Sequence, residues 1–108
     1  MKEVKEVDFD KLISGEGLQV VDFSATWCMP CRMLKPLLEK AEKKLSMFNF
    51  YNLDVDEQEE IAKRYRIFSV PTVVCFKGGK KIDSLVGLNS YDDIVDFVER
   101  CEATKIEE

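Results

Sequence analysis

Trp27-Cys28-Met29-Pro30-Cys31 joins an almost unbroken apolar run over residues 18–24 to a stretch with helical periodicity from residue 31. A chain that passes from a buried strand directly into a helix has few architectures open to it. The strand belongs inside a sheet covered on both faces, and the helix must pack on one of them. Two cysteines three apart at this junction can close and reopen a small disulfide. The first turn of a helix offers unpaired N–H groups and the positive end of the helix dipole. Both stabilise a thiolate, which is the reactive form of cysteine. The junction therefore reads first as a site of dithiol–disulfide redox chemistry.

Composition removes several competing chemistries. The 108-residue chain contains no histidine, which excludes Cys–His nucleophilic catalysis, Ser–His–Asp hydrolysis and histidine-ligated zinc. Its length fits one domain spanning residues 1–108, with enough chain to build a core. The net charge of −5 argues against a nucleic-acid surface. No apolar stretch approaches the roughly 20 residues of a membrane span. Residues 1–8 lack the apolar segment of a secretory signal, so the expected compartment is the cytoplasm. The four cysteines comprise one close pair, with Cys75 and Cys101 far along the chain. That spacing is a poor disulfide framework. The other reading of the close pair is half of a four-cysteine zinc or iron–sulfur site, but the sequence has no second close pair, and Pro30 with Trp27 suits redox work better.

Periodicity predicts the remaining elements. Residues 2–7 read as a short edge strand, and residues 8–14 as a helix capped by Asp8. Residues 31–45 form a helix with Pro36 inside it, where a kink is expected. Residues 48–55 form a strand, and Asp56 caps a helix through Arg66 with Glu59 as its capping-box partner. Residues 72–76 and 80–86 form a hairpin around Gly78-Gly79. Ser90 caps a last helix, and residues 105–108 are a frayed tail. The predicted order is β-α-β-α-β-α-β-β-α. The fold class is α/β, with a central mixed five-stranded sheet flanked by four helices; its middle βαβ unit is parallel and its final hairpin antiparallel.

The chain resembles the thioredoxin family over nearly its whole length. The resemblance rests on residues 20–31 (VVDFSATWCMPC), Pro36, Asp54-Val55-Asp56, Ser69-Val70-Pro71-Thr72, Phe76-Lys77-Gly78-Gly79-Lys80 and Gly87. It implies the thioredoxin fold and a protein-disulfide reductase recharged by a thioredoxin reductase. The reductase would draw on NADPH or ferredoxin, and the chain itself, with no nucleotide-binding fingerprint, would hold no cofactor or metal. Three positions depart from the family pattern: Met29 stands for a usual glycine, Asn52 for a lysine found in some bacterial members, and Ser69 for a frequent glycine.

With this resemblance, Cys28 is the expected nucleophile, exposed at the helix N-cap, and Cys31 the less exposed resolving thiol. Asp22 lies in an apolar strand, where burial raises a carboxyl pKa. The resemblance makes it the proton acceptor for Cys31; otherwise it is a strand-end carboxylate facing solvent. Pro71 resembles the family's cis-proline, leaving the Val70 backbone free to pair with an extended substrate. The other reading is a trans proline opening a strand. Trp27, Met29, Pro30 and Gly87 complete the expected substrate-binding rim. Arg32 either favours the thiolate or is a solvated helix residue. Cys75 and Cys101 are expected to be buried, inert thiols, and Phe50, Tyr51, Tyr65 and Phe68 core packing. Disulfide-bearing proteins are the expected substrates, and nothing demands more than a monomer. Two other functions stay open: an isomerase-like or glutaredoxin-like protein of different potential, and a scaffold whose dithiol is dispensable.

Overall fold

The structure is a computed structural model and describes residues 1–104. The expected frayed tail at 105–108 lies outside the described residues. The elements are β1 (Lys2–Glu3), α1 (Glu6–Ile13), β2 (Leu18–Ser24), α2 (Met29–Lys44), β3 (Asn49–Asp54), α3 (Glu59–Arg64), β4 (Thr72–Lys77), β5 (Lys80–Val86) and α4 (Tyr91–Ala103). They follow the predicted order and form one five-stranded sheet, β1-β3-β2-β4-β5.

β2 is the middle strand because its residues are apolar on both faces. It runs parallel to β3, with Asp22 opposite Asn52, and antiparallel to β4, with Asp22 opposite Val73. Leu18 and Val20 meet Leu34, Leu38, Ile94 and Val98, so α2 and α4 cover one face. Val21 and Phe23 meet Phe9, Ile13 and Ile61, so α1 and α3 cover the other. Strand alternation then directs Asp22 and Asn52 towards α2. The β4–β5 turn is a hairpin with both Gly78 (φ 59°) and Gly79 (φ 80°) in the left-handed region, as a two-glycine turn requires.

One of the three expected helix caps forms. Ser90 caps α4 as expected, its hydroxyl accepting the Asp93 N–H at 3.1 Å. Asp8 does not cap α1. That helix begins at Glu6, and the Glu6 N–H donates to Gln58 Oε1 at 2.8 Å across the fold. A distant side chain thus satisfies one of the open N–H groups that a local cap would have taken. The edge strand shrinks to Lys2–Glu3 for the same reason. Asp56 does not cap α3 either, and the capping box with Glu59 is not formed. Asp54 Oδ1 accepts the Asp56 N–H at 2.9 Å, closing a turn that delays the helix to Glu59. α2 starts at Met29, two residues early, and runs through Pro36 as one helix.

Candidate active site

β2 ends and α2 begins at the edge of the sheet where Cys28 and Cys31 stand. Cys28 is the N-cap of α2 and Pro30 lies in its first turn, where a missing N–H costs nothing. The two cysteines are joined in a disulfide, with Cα atoms 5.3 Å apart. The Cys31 N–H donates to Cys28 Sγ at 3.2 Å. This is the orphan donor of a helix start aimed at sulfur, the arrangement that stabilises an anionic thiolate. The Arg32 guanidinium donates to the Thr26 carbonyl from Nε (3.2 Å) and Nη2 (2.9 Å), so it ties down the loop before the dithiol.

Contrary to the sequence expectation, Cys28 is not the more exposed of the two residues: in the disulfide both cysteines are 4% exposed. Val55 and Val70 pack against them and Ala25, covering Cys28 as fully as Cys31.

Asp22 is buried, which overturns the solvent-facing alternative. Its carboxyl lines a cavity of about 320 Å³ together with Cys31, Lys35, Arg32, Asn52 and Asp54. Oδ1 has no hydrogen-bond partner among the described residues. Burial pushes the Asp22 pKa from 3.8 up to about 7, opposed by the positive charge of Lys35. Lys35 was missed in the sequence. The signal was there: Lys35 follows Cys31 by four residues, so both lie on the same helix face. Asn52, at the position where a lysine is known in other chains, instead accepts the Ser24 hydroxyl at 2.8 Å.

On the other side of the disulfide, the Val70–Pro71 peptide bond is cis. Cys28 Sγ lies 3.7 Å from the Val70 carbonyl oxygen. Gly87, with φ 89°, donates its N–H to the Pro71 carbonyl at 2.8 Å. The structure thus brings Cys28, Val70, Pro71 and Gly87 into one chain of contacts. Trp27 is 69% exposed, and its indole N–H donates to Asp56 Oδ2 at 2.8 Å. Asp56, expected as a helix cap, therefore steadies the tryptophan. A second cavity of about 430 Å³ is lined by Trp27, Cys28, Met29, Pro30, Phe68 and Val70, among others. Phe68, expected in the core, is 91% exposed at this cavity. Phe50 is buried, and Tyr65 stacks edge-on against Phe76, as packing residues should.

Cys75 and Cys101 sit in the α2/α4 core, outside any disulfide and fully buried. A hydrogen bond with Cys101 and burial both push the Cys75 thiol up, away from its reactive form.

Comparison with known proteins agrees with this geometry. The thioredoxin family model matches residues 1–100. The chain is 45% identical to thioredoxin-2 of Saccharomyces cerevisiae over 89 residues, 82% of this chain and 85% of that one. It is 36% identical to a Staphylococcus aureus thioredoxin over 99 residues, covering 91% and 94% of the two chains. The structure of Plasmodium falciparum thioredoxin superposes with a TM-score of 0.87 at 35% identity, over 93% of this chain and 98% of that one. The chain belongs to the thioredoxin family and is a protein-disulfide reductase whose redox pair is Cys28–Cys31.

Proposed function

We propose that Cys28 attacks substrate disulfides, that Cys31 resolves the intermediate, and that Asp22 takes the resolving proton. In the reduced protein the Cys28 thiolate attacks one substrate sulfur. The Cys28–substrate bond forms, and the second substrate sulfur leaves as a thiolate that takes a proton from water. Cys31 then gives its proton to the Asp22 carboxylate, directly or through one water in the shared cavity. Its thiolate attacks Cys28 Sγ, the Cys28–Cys31 bond forms, and the first substrate sulfur departs. That sulfur also leaves as a thiolate and is protonated from solvent, so the substrate gains two electrons from the protein and two protons from solvent, while the protein loses two electrons and the one proton of Cys31. Asp22 returns its proton to solvent.

The observation that carries this assignment is the position of the disulfide between two unlike surroundings. Cys31 shares a cavity with a buried carboxyl whose pKa lies near neutrality, where a proton acceptor works best. Cys28 faces the Val70 carbonyl and a groove open to an incoming chain. Trp27, Met29, Pro30, Val70, Pro71 and Gly87 form the substrate-binding rim. There the Val70 backbone pairs with an extended segment of a disulfide-bearing protein.

A thioredoxin reductase is the partner that recharges the pair, and the protein works in the cytoplasm as a monomer, one domain over residues 1–108. The family match supports this reading. Two variants test the roles. Cys28→Ser abolishes insulin-disulfide reduction. Cys31→Ser does so too, but accumulates a mixed disulfide visible on a non-reducing gel. Full activity in either variant would overturn the assignment.

A further inference from the structure

The groove beside Cys28 carries more apolar surface than disulfide exchange requires. Phe68, Trp27 and Met29 are 91%, 69% and 60% exposed, and all three line the cavity that Cys28 lines. A single exposed apolar side chain is ordinary, whereas several around one cavity mark a binding surface. The lining of this cavity includes no charged side chain. The cavity on the Cys31 side is lined by four: Asp22, Arg32, Lys35 and Asp54.

The occupant of the groove follows from its continuity with the reactive sulfur. A substrate sulfur must come within bonding distance of Cys28 Sγ, and the residues flanking that sulfur then lie over the walls that Cys28 shares. Phe68 and Ser69 lead directly to Val70, whose carbonyl is 3.7 Å from that sulfur. The Asp56 carboxylate, bonded to the Trp27 indole, adds negative charge at the rim and disfavours an acidic flank.

We propose that Phe68, with Met29 and Trp27, forms an apolar seat that selects substrate disulfides flanked by a hydrophobic side chain. The proposal rests on Cys28 being the attacking sulfur. Phe68 touches the substrate chain next to its cysteine, and its ring loses water only when an apolar neighbour settles on it. The gain is therefore one of substrate affinity rather than of rate in the bound complex. Met29 contributes a flexible, polarizable side chain that adapts to the shape of the neighbour.

The test uses two disulfide-linked peptides, identical except that leucine or serine stands beside the cysteines. Dithiothreitol recharges the protein, and KM and kcat are measured for the wild type, Phe68→Ser and Phe68→Leu. In Phe68→Ser the KM for the leucine peptide rises about tenfold, the scale of losing a buried aromatic contact. Its kcat and the KM for the serine peptide stay within about twofold, and Phe68→Leu restores most of the preference. An equal rise in KM for both peptides, no rise for either, or a change confined to kcat would each overturn the proposal. A wild type that reduces both peptides with no preference between them sinks the apolar seat alone. A wild type that reduces neither peptide sinks the exchange mechanism with it.

Discussion

The Cys28–Cys31 bond separates two cavities of similar size and opposite character. Towards Cys31 lies a polar cavity walled by Asp22, Lys35, Arg32 and Asp54. Towards Cys28 lies an apolar groove walled by Trp27, Met29, Phe68 and Val70. The two cysteine residues are equally buried, so exposure does not tell them apart. Their neighbours do. Disulfide exchange moves a proton at one sulfur and a polypeptide at the other, and a single helix start serves both demands. The pleat of β2 places Asp22 beneath α2, while the cis Val70–Pro71 bond and the loop before it bring carbonyl and aromatic groups to the opposite side.

The sharpest way to break this contrast is Asp22→Asn. Turnover of insulin disulfides should fall at least tenfold, as for loss of a proton acceptor. KM should hardly move, because the substrate sits on the other side. A change in KM with unchanged kcat would erase the distinction between the two cavities. The same variant carries a stability signature. The Asp22 pKa is raised in the fold, so its contribution to stability is complete below about pH 4. That contribution is lost as pH climbs through about 7, where the buried carboxyl is forced to ionise. Wild-type stability should therefore decline over that window. Asp22→Asn should flatten the decline and be more stable at pH 8 by about 2–4 kcal/mol in urea unfolding.

Lys35→Met tests the polar side more gently. Removing the positive charge raises the Asp22 pKa further, so the pH–rate profile should move to higher pH while the leucine/serine peptide preference stays put. An unmoved profile would show that Lys35 is too well solvated to act on the carboxyl. The smallest effect belongs to Trp27→Phe, which removes the indole N–H bond to Asp56 but keeps an aromatic ring. A KM increase of about threefold is expected for a partly exposed hydrogen bond. A larger loss in kcat than in KM would assign Trp27 to the proton side.

Features set by neighbours in sequence were legible from the chain alone. The apolar run of β2, the dithiol at a helix start, the two-glycine hairpin and the Ser90 cap each depend on a few adjacent residues. Features set across the fold were not. Asp8 resembled a cap, yet α1 begins where Gln58 reaches it from another element. Asp56 resembled a cap, yet its carboxylate holds Trp27, while Asp54 shapes the turn. Asn52 hid the cation near Asp22, because Lys35 reaches it from a helix rather than from β3. Phe68 resembled a core residue because an aromatic ring is usually buried. Only the folded loop shows that it lines the groove.

The burial of Cys75 and Cys101 in the α2/α4 core has a chemical consequence. A spare thiolate near a reactive disulfide invites scrambling, in which the bridge migrates to a wrong partner. These two sulfurs belong to a different packed cluster from Cys28 and Cys31 and are shut off from solvent, so neither can approach the bridge while the fold holds. The oxidised protein is thus confined to one isomer for as long as it stays folded, and its electrons can return only along the route by which they left.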